Sequence, residues 1–194
     1  MNNSALKSLL RKKLLHERLA LNKEELQMRS EELTTRFQAH FSFEHKHISC
    51  FATMKTKKEV DIFQLLEVLS AKNRIYLPVS DFTTGIMDHY PYSPGDPLAN
   101  NPYGIPEPQN RAKSIDPKTL DVILVPLLGI DLQGNRLGYG KGFYDRFLTQ
   151  CRPDALKIGL NLFAPIDHIP SEATDIPLDF LVTHERCYTF KIQP

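Results

Sequence analysis

The sequence predicts a single α/β domain over residues 1–194, a three-layer sandwich with helices on both sides of a mostly parallel, Rossmann-like sheet. Strand patterns alternate with helix patterns along the chain, which is typical of layered folds with parallel strands. The apolar run from Val122 to Leu128 is continuous, as expected for a strand buried on both faces in the middle of such a sheet. Ligands of these folds bind beyond the carboxyl ends of the strands.

Two helices are predicted at the start of the chain. Ser4 is the candidate N-cap of the first helix. Its apolar positions recur every four residues, at Leu6, Leu10 and Leu14. Lys7 and Arg11 are also four residues apart, so their side chains share another face of this helix. Asn22, with Glu25 three positions later, is typical of the start of a second helix. The buried side of that second helix is marked by Leu26, Leu33 and Phe37.

The rest of the chain alternates short strands with helices. Strands are predicted over 48–52, 74–79, 122–128, 157–162 and 180–183, and 86–90 is compatible with a further strand. Helices are predicted over 60–71 and 143–150. The stretch 91–117 holds seven of the 14 prolines, which excludes a helix or a central strand there. We expect a long ordered loop or a linker, and such loops are often functional.

Composition limits the classes of partner. The 24 basic and 23 acidic residues leave a net charge of +1, which gives no global field for holding nucleic acid. The three cysteines are widely spaced and odd in number, so we expect reduced thiols. The polar start of the chain lacks an apolar stretch of signal-peptide length, and no membrane span is predicted. We therefore expect a monomeric protein in the cytoplasm, without nucleic-acid or membrane partners.

The most informative segment is a glycine-rich run. It reads Arg136-Leu137-Gly138-Tyr139-Gly140-Lys141-Gly142-Phe143-Tyr144-Asp145. Three alternate glycines allow backbone N–H groups to approach a ligand closely and form an anion-binding nest. Lys141 supplies a point charge, Arg136 can supply a bidentate one, and a helix begins just after the glycines. The run therefore predicts a phosphate site.

The spacing of this run matches neither common nucleotide template. It is not a P-loop, because Gly142 stands where Ser or Thr would hold magnesium, and it is not the dinucleotide pattern G-x-G-x-x-G. The alternative interpretation is a tight strand-to-helix turn with a solvated lysine. Asp145 is equally compatible with stabilising the first turn of a helix and with binding magnesium.

The segment Asp131 to Arg146 closely resembles the signature of the 5-formyltetrahydrofolate cyclo-ligase family, also called methenyltetrahydrofolate synthetases. The resemblance extends over nearly the whole chain, through Lys7 and Arg11, Glu59, the segment 103–108, and Ile169-Pro170 followed by Asp175. It implies an enzyme that uses ATP and Mg²⁺ to convert 5-formyltetrahydrofolate into 5,10-methenyltetrahydrofolate, with release of ADP and phosphate. In that reaction the formyl oxygen is phosphorylated and N10 then closes the ring.

The resemblance also implies residue roles. Lys7, Arg11 and the run from Arg136 to Tyr144 are expected to contact ATP, with Lys141 and Arg136 as the catalytic residues. Asp145 and Asp175 are expected to bind magnesium. The remaining substrate-binding positions are expected at Met54, Glu59, Tyr103, Glu107, Tyr139, Gly140, Lys141, Gly142 and Phe143. Without the resemblance, Lys7 and Arg11 would be interpreted as solvated, Glu59 as a helix-terminal acid and Asp175 as a turn residue.

The chain departs from the family pattern at two positions. Ile62 stands where the family often has threonine, and Phe143 replaces a common tyrosine. The contacts to the pterin are therefore left open. Two other functions remain compatible with the sequence: another ATP-dependent enzyme acting on a small molecule, such as a kinase, and a folate-binding protein without catalysis. The phosphate-directed set of Lys7, Arg11, Lys141, Asp145 and Asp175 argues against the last.

Overall fold

The computed structural model describes residues 2–190 and shows an α/β fold with a seven-stranded main sheet. The helices are α1 (Asn3–Ala20), α2 (Lys23–His40), α3 (Phe63–Ser70) and α4 (Phe143–Leu148). The strands are β1 (His47–Ser49), β2 (Arg74–Ser80), β3 (Met87–Tyr92), β4 (Leu98–Asn100), β5 (Pro106–Pro108), β6 (Val122–Pro126), β7 (Gly129–Ile130), β8 (Arg136–Leu137), β9 (Leu156–Leu160), β10 (Phe180–Val182) and β11 (Cys187–Thr189).

The main sheet is mixed but mostly parallel. Its order is β11-β10-β9-β6-β1-β2-β3, and every pair from β10 to β2 is parallel. The two edge strands, β3 and β11, run antiparallel to their neighbours. The apolar run forms β6 between β9 and β1, so the prediction of a strand in the middle of a parallel sheet is confirmed.

Two hydrophobic cores lie on the two faces of this sheet. On one face, Val122 and Leu124 of β6 belong to the cluster that includes residues of α2 and α3. On the other face, Ile123 and Val125 pack in the cluster that includes Phe147 of α4. Alternate residues of one strand therefore face opposite helical layers, and the predicted three-layer sandwich is confirmed.

The connections after the neighbouring strands β1 and β6 lead toward opposite edges of the sheet. After β1 the chain passes to β2 on one side, whereas after β6 it passes to β9 on the other side. The loops after these two strands therefore diverge and leave a crevice at their carboxyl ends. This is a topological switch point, the place where open α/β sheets bind ligands.

Helix α1 differs from its predicted form at its cap and at its buried face. Asn2, not Ser4, is the N-cap, because its side chain accepts a hydrogen bond from the N–H of Ala5. The buried residues of α1 are Lys7, Leu14 and Arg18, which are spaced along one face. The prediction of a separate basic face was therefore wrong, since two basic residues and a leucine share the face that packs against the protein.

Other differences concern element lengths. β1 ends at Ser49 rather than at 52, α3 begins at Phe63 rather than at 60, and α4 ends at Leu148 rather than at 150. The residues between β1 and α3 form the loop of the crevice that follows β1, whereas those after α4 lead to β9 at the opposite end of the sheet. Three short strands, β7, β8 and β11, are too brief for a periodic pattern to show.

The proline-rich stretch is ordered and contains secondary structure of its own. β4 and β5 pair antiparallel in a separate two-stranded ribbon, and no part of the stretch enters the middle of the main sheet. All three cysteines are free thiols, with Cys50 buried. Within residues 2–190, none of the helices is long and apolar enough to span a bilayer.

Candidate active site at the carboxyl ends of β1 and β6

The glycine-rich run is held by a small hairpin that follows β6. β7 and β8 pair antiparallel, and the turn between them surrounds the buried carboxylate of Asp131. That carboxylate accepts hydrogen bonds from the N–H groups of Gln133 and Asn135, from the Asn135 side chain at 3.0 Å, and from the N–H of Ile169 at 3.0 Å. Asp131 therefore fixes both the hairpin and the loop after β9, on which Asp175 lies.

Glycine is required at two positions of the run itself. Gly140 has φ of +87° and Gly142 has φ of +68°, which is backbone that favours glycine. A Cβ at Gly140 would also lie 3.0 Å from the guanidinium carbon of Arg11. Gly138 has no such restriction, and a Cβ there would meet nothing within 4 Å. The space above Gly138 is therefore open to a ligand.

Helix α1 brings two cations to this loop. Lys7 is buried, and its Nζ donates to Asp175 Oδ2 at 2.7 Å, with Glu172 Oε1 at 3.5 Å. Arg11 donates from Nε to the carbonyl oxygen of Gly138 at 2.9 Å. The structure therefore brings Lys7, Arg11, Asp175 and the run together, as the sequence predicts.

A second cation–carboxylate pair lies at the other side of the run. Arg136 has a buried side chain that donates to the carbonyl oxygen of Ile176 and to Asp145 Oδ1. Because Ile176 is next to Asp175, the two carboxylates predicted to bind metal flank the same arginine. We call these two ion pairs together the phosphate-side cluster: Lys7 with Asp175 and Arg136 with Asp145.

Glu59 lies in the loop after β1 and is 5% exposed. The preceding residue, Lys58, has φ of +46°, and its ammonium donates to the carbonyls of Leu19 and Leu21 at the end of α1. Glu59 Oε2 accepts from the N–H of Met54 at 2.8 Å, and Oε1 accepts from the hydroxyl of Tyr139 at 2.6 Å. The acid after β1 thus meets the run after β6 across the switch point.

Burial dominates the ionisation of this acid. It raises the pKa of Glu59, while the hydrogen bonds from Tyr139 and Met54 and the charge of Arg18 oppose that shift. Burial and the neighbouring Glu59 charge likewise raise the pKa of Tyr139, which stays a neutral hydroxyl. Glu59 is thus a buried acceptor held by neutral donors, with one cation nearby.

An aromatic groove adjoins the exposed end of the run. Lys141 is exposed and, among residues 2–190, its ammonium has no hydrogen-bond or ion-pair partner. Next to it, Phe143 packs edge-on against Phe82 with ring centroids 5.0 Å apart, and Phe82 stacks on Tyr103 at 3.8 Å. Phe82 and Tyr103 line a cavity of about 600 Å³ between the β2–β3 turn and the β4–β5 ribbon. Asp81, Asp88, Glu107 and Arg111 line the same cavity, so it combines aromatic rings with charged side chains.

Comparison with known proteins identifies the family. Residues 3–184 match the sequence profile of the 5-formyltetrahydrofolate cyclo-ligase family. This chain belongs to that family. The 5-formyltetrahydrofolate cyclo-ligase of Haemophilus influenzae is 35% identical over 130 residues, which cover 64% of this chain and 70% of the relative. The protein of the same name from Escherichia coli K12 is 35% identical over 138 residues, covering 67% and 74%.

A solved structure of a family relative has the same fold. The structure of Aquifex aeolicus 5,10-methenyltetrahydrofolate synthetase superposes with a TM-score of 0.80 at 33% identity, covering 97% of this chain and 95% of that one. The resemblance inferred from the glycine-rich run is therefore confirmed, as is the α/β fold. The family and the relatives' names indicate an enzyme with 5-formyltetrahydrofolate cyclo-ligase activity.

Glu107 and Ile62, two positions singled out by the family pattern, are both buried and held by contacts within the protein. Glu107 is buried, and its oxygens accept from the N–H of Ser80 at 3.1 Å, from Asn101 at 2.9 Å and from Arg111 at 3.0 Å. These bonds tie the ribbon to the end of β2, and direct contact with substrate stays a prediction. Ile62, at the position of the common family threonine, is fully buried in the core around α3.

Two side chains that contact the candidate site residues were not predicted from the sequence. Arg18 is 2% exposed and donates to the Tyr139 hydroxyl, and Phe82 joins Tyr103 to Phe143. The signal for Arg18 was its spacing of seven residues from Arg11 and eleven from Lys7, which places the three on one helix face. Phe82 stands among turn residues and carries no comparable signal.

Proposed function

We propose that this chain catalyses the ATP- and Mg²⁺-dependent conversion of 5-formyltetrahydrofolate into 5,10-methenyltetrahydrofolate. The γ-phosphoryl group of ATP is transferred to the formyl oxygen, which becomes a leaving group. N10 then attacks the formyl carbon, and phosphate departs, leaving ADP as the other product. A protein that catalyses such a transfer must chiefly position the reactants and neutralise developing charge.

The observation that carries this proposal is the contact between Tyr139 and Glu59. It joins the glycine-rich run to a buried carboxylate at 2.6 Å, across the switch point. A carboxylate can accept hydrogen bonds from the N–H donors of a pterin ring, and the backbone N–H groups of the run can bind phosphate. One stretch of backbone therefore serves two ligands that must react with each other.

The phosphate side of the proposal rests on cations within reach of the run. Arg11 lies against Gly140, Lys7 is buried beside Asp175, and Lys141 is free in solvent. We assign Lys7 and Arg11 to the phosphates of ATP. We assign Lys141 and Arg136 to the charge that develops during phosphoryl transfer, the role in which such side chains have their largest effect.

The phosphate-side cluster has the donor set that magnesium uses. Mg²⁺ is usually held by one or two carboxylates together with phosphate oxygens, and Asp145 with Asp175 supply two carboxylates. Within residues 2–190 no group of three or more His, Cys, Asp or Glu side chains could hold a metal alone. The ion would neutralise charge on the phosphates. Lys7 and Arg136 hold the two carboxylates in place and can exchange these ion pairs for phosphate contacts.

The substrate side extends from Glu59 to the aromatic groove. We propose that Glu59 and Met54 border the pterin and that Phe143 and Tyr103 contact the flat part of the substrate. The cavity of about 600 Å³ that Phe82 and Tyr103 line has the size of a site for a small organic molecule. We further propose that the enzyme acts in the cytoplasm as a monomer.

A direct assay tests the proposal. Purified protein is mixed with 5-formyltetrahydrofolate and Mg-ATP, and the absorbance of the methenyl product is followed. We expect the chromophore to appear only when ATP, magnesium and protein are all present, with one ADP formed per methenyl product. Absence of the chromophore with folded protein would contradict the proposal.

The same mixture separates the two alternatives. ADP formation without the methenyl chromophore would indicate a kinase acting on another acceptor. Binding of 5-formyltetrahydrofolate without ADP or chromophore would indicate a folate-binding protein without catalysis.

A further inference from the structure

Arg18 occupies an unusual environment for a guanidinium group. It is 2% exposed on the inner face of α1. Nη1 donates to the carbonyl oxygen of Leu127 at 3.1 Å, and Nη2 donates to the hydroxyl of Tyr139. Over the part of the chain that the structure describes, no carboxylate forms a direct ion pair with it. Its connection to negative charge runs through the Tyr139 hydroxyl to Glu59 Oε1 at 2.6 Å.

The chemistry of the three groups fixes the direction of these hydrogen bonds. A guanidinium group can only donate, so the Tyr139 oxygen must accept from Arg18. The hydroxyl hydrogen is then directed at Glu59, which accepts it. Without Arg18 the same hydroxyl could equally accept from a protonated Glu59. The buried cation thus determines which partner holds the proton.

We propose that Arg18 is a positioning residue for substrate binding, which orients the Tyr139 hydroxyl and keeps Glu59 an ionised acceptor for the N–H donors of the substrate. This inference rests on the proposed function, in which Glu59 receives the pterin. Arg18 itself touches neither the substrate nor the reacting atoms.

The surroundings of Glu59 leave Arg18 as the cation that can have this effect. The groups that face Glu59 are the N–H of Met54 from its own loop, the hydroxyl of Tyr139 from the run, Arg18 from α1, and the ring of Tyr144 from α4. The first two are neutral, and burial raises the pKa of Tyr144 so that it too stays neutral. The charge of Arg18 is therefore what offsets the burial of the Glu59 carboxylate.

Helix α1 also holds the run at the residue before Tyr139. Arg11 donates to the carbonyl oxygen of Gly138 at 2.9 Å, two helical turns from Arg18. Two arginines on one helix face therefore hold the backbone and the side chain of adjacent residues. Arg11 faces the phosphate side of the run, whereas Arg18 faces the Glu59 side.

Two substitutions of Arg18 test the proposal. Arg18→Met removes the charge and keeps a side chain of similar reach, and Arg18→Lys keeps the charge but not the two-pronged geometry. We expect Arg18→Met to raise KM for 5-formyltetrahydrofolate about tenfold or more, the size of a lost charge-assisted hydrogen bond, and to leave KM for Mg-ATP unchanged. Arg18→Lys should recover part of the loss. An unchanged folate KM, or equal rises in both KM values, would overturn the proposal.

The pH profile provides a readout that a purely structural role would not move. Folate KM should fall as pH rises through the pKa of Glu59, because the ionised form is the acceptor. Loss of the Arg18 charge raises that pKa further, so the inflection should move to higher pH in Arg18→Met. An inflection at the same pH as in the wild type would count against the proposal.

A double-mutant cycle with Tyr139→Phe tests the route of the effect. Because Arg18 acts partly through the Tyr139 hydroxyl and partly through its charge, Arg18→Met should have a smaller effect on folate KM once that hydroxyl is gone. A full additional effect would show that Arg18 acts by another route and would overturn the inference.

The control is Arg152→Met, at the opposite end of the sheet. Arg152 also donates to a backbone carbonyl and to a side-chain oxygen, at Leu120 and Asp121. Thermal unfolding shows whether each variant is folded, and Arg18→Lys takes the place of Arg18→Met if the latter is not. If the wild type forms no methenyl product, the proposed function fails. Calorimetric binding of 5-formyltetrahydrofolate to the wild type and both variants then decides whether Arg18 positions Glu59.

Discussion

The two sides of the site hold their charges in different ways. On the phosphate side, Lys7 with Asp175 and Arg136 with Asp145 form direct ion pairs, and Lys141 stays exposed to solvent. On the Glu59 side, the carboxylate and Arg18 are both buried and are separated by a neutral hydroxyl. In the proposed function the direct pairs would be exchanged for phosphate and metal contacts, whereas Arg18 and Glu59 would stay linked through the Tyr139 hydroxyl. This difference fits the proposed function, in which ATP and metal exchange on one side and the substrate is oriented on the other.

The largest effect should come from the exposed cation. Lys141→Met should lower kcat by about two to three orders of magnitude, as expected for loss of one well-placed charge in a phosphoryl-transfer site. Because Lys141 is exposed and unpaired among residues 2–190, the melting temperature should stay unchanged. Lys118→Met, an exposed lysine next to the amino end of β6, is the control. Near-normal turnover would remove Lys141 from the mechanism.

Glu59→Gln should have the next largest effect, on the buried side. The substitution replaces an acceptor carboxylate with an amide that carries donors, so folate KM should rise about tenfold to a hundredfold. Because burial raises the pKa of Glu59, folate KM of the wild type should fall as pH rises through that pKa. The glutamine variant should lose this pH dependence. Retention of the same dependence would show that another group titrates.

Asp145→Asn should act on the metal requirement. A neutral amide is a weaker ligand for Mg²⁺ than a carboxylate, so half-saturating magnesium should rise several-fold, on the order of tenfold. Folate KM at saturating magnesium should be unaffected. Asp154→Asn, an exposed acid after α4, is the matched control. If the magnesium dependence does not change, the role of Asp145 is structural: it pairs with Arg136 and stabilises the first turn of α4.

The smallest effect on turnover is expected at the other buried glutamate. Glu107 accepts three hydrogen bonds within the protein, whereas Glu59 accepts two, one of them from the run. Glu107→Gln should therefore lower the free energy of unfolding by about 1–3 kcal/mol, measured by chemical denaturation, and raise folate KM less than Glu59→Gln does. A rise in folate KM as large as that of Glu59→Gln would instead place Glu107 in contact with the substrate.

The layers of the fold could be predicted from the sequence because each helix and strand that forms them has a local hydrophobic pattern. The apolar run of β6 required burial on both faces, and the glycines required a break before α4 begins at Phe143. The hairpin of β7 and β8 has two residues in each strand, too few for periodicity to show. It depends instead on the buried Asp131, whose partners include a residue 38 positions away.

For a related reason, only the part of the candidate site that is local in sequence could be predicted. The run and its acids form a local pattern, so Arg136, Lys141 and Asp145 could be named from sequence. The bond between Tyr139 and Glu59 joins residues 80 positions apart, and the burial of Arg18 depends on which face of α1 packs inward. Basic residues are usually exposed, so the helix pattern assigned the buried face to the leucines. Only the packed structure shows that cations share it.

The most direct test measures binding and turnover in the same samples of Lys141→Met and Glu59→Gln. Calorimetry gives the affinity for 5-formyltetrahydrofolate, and the methenyl chromophore gives the rate. We predict that Lys141→Met loses far more turnover than folate affinity, while Glu59→Gln binds the folate weakly and regains turnover at high folate concentration. Equal losses of affinity and of rate in both variants would contradict the division of the site into an orienting side and a reacting side.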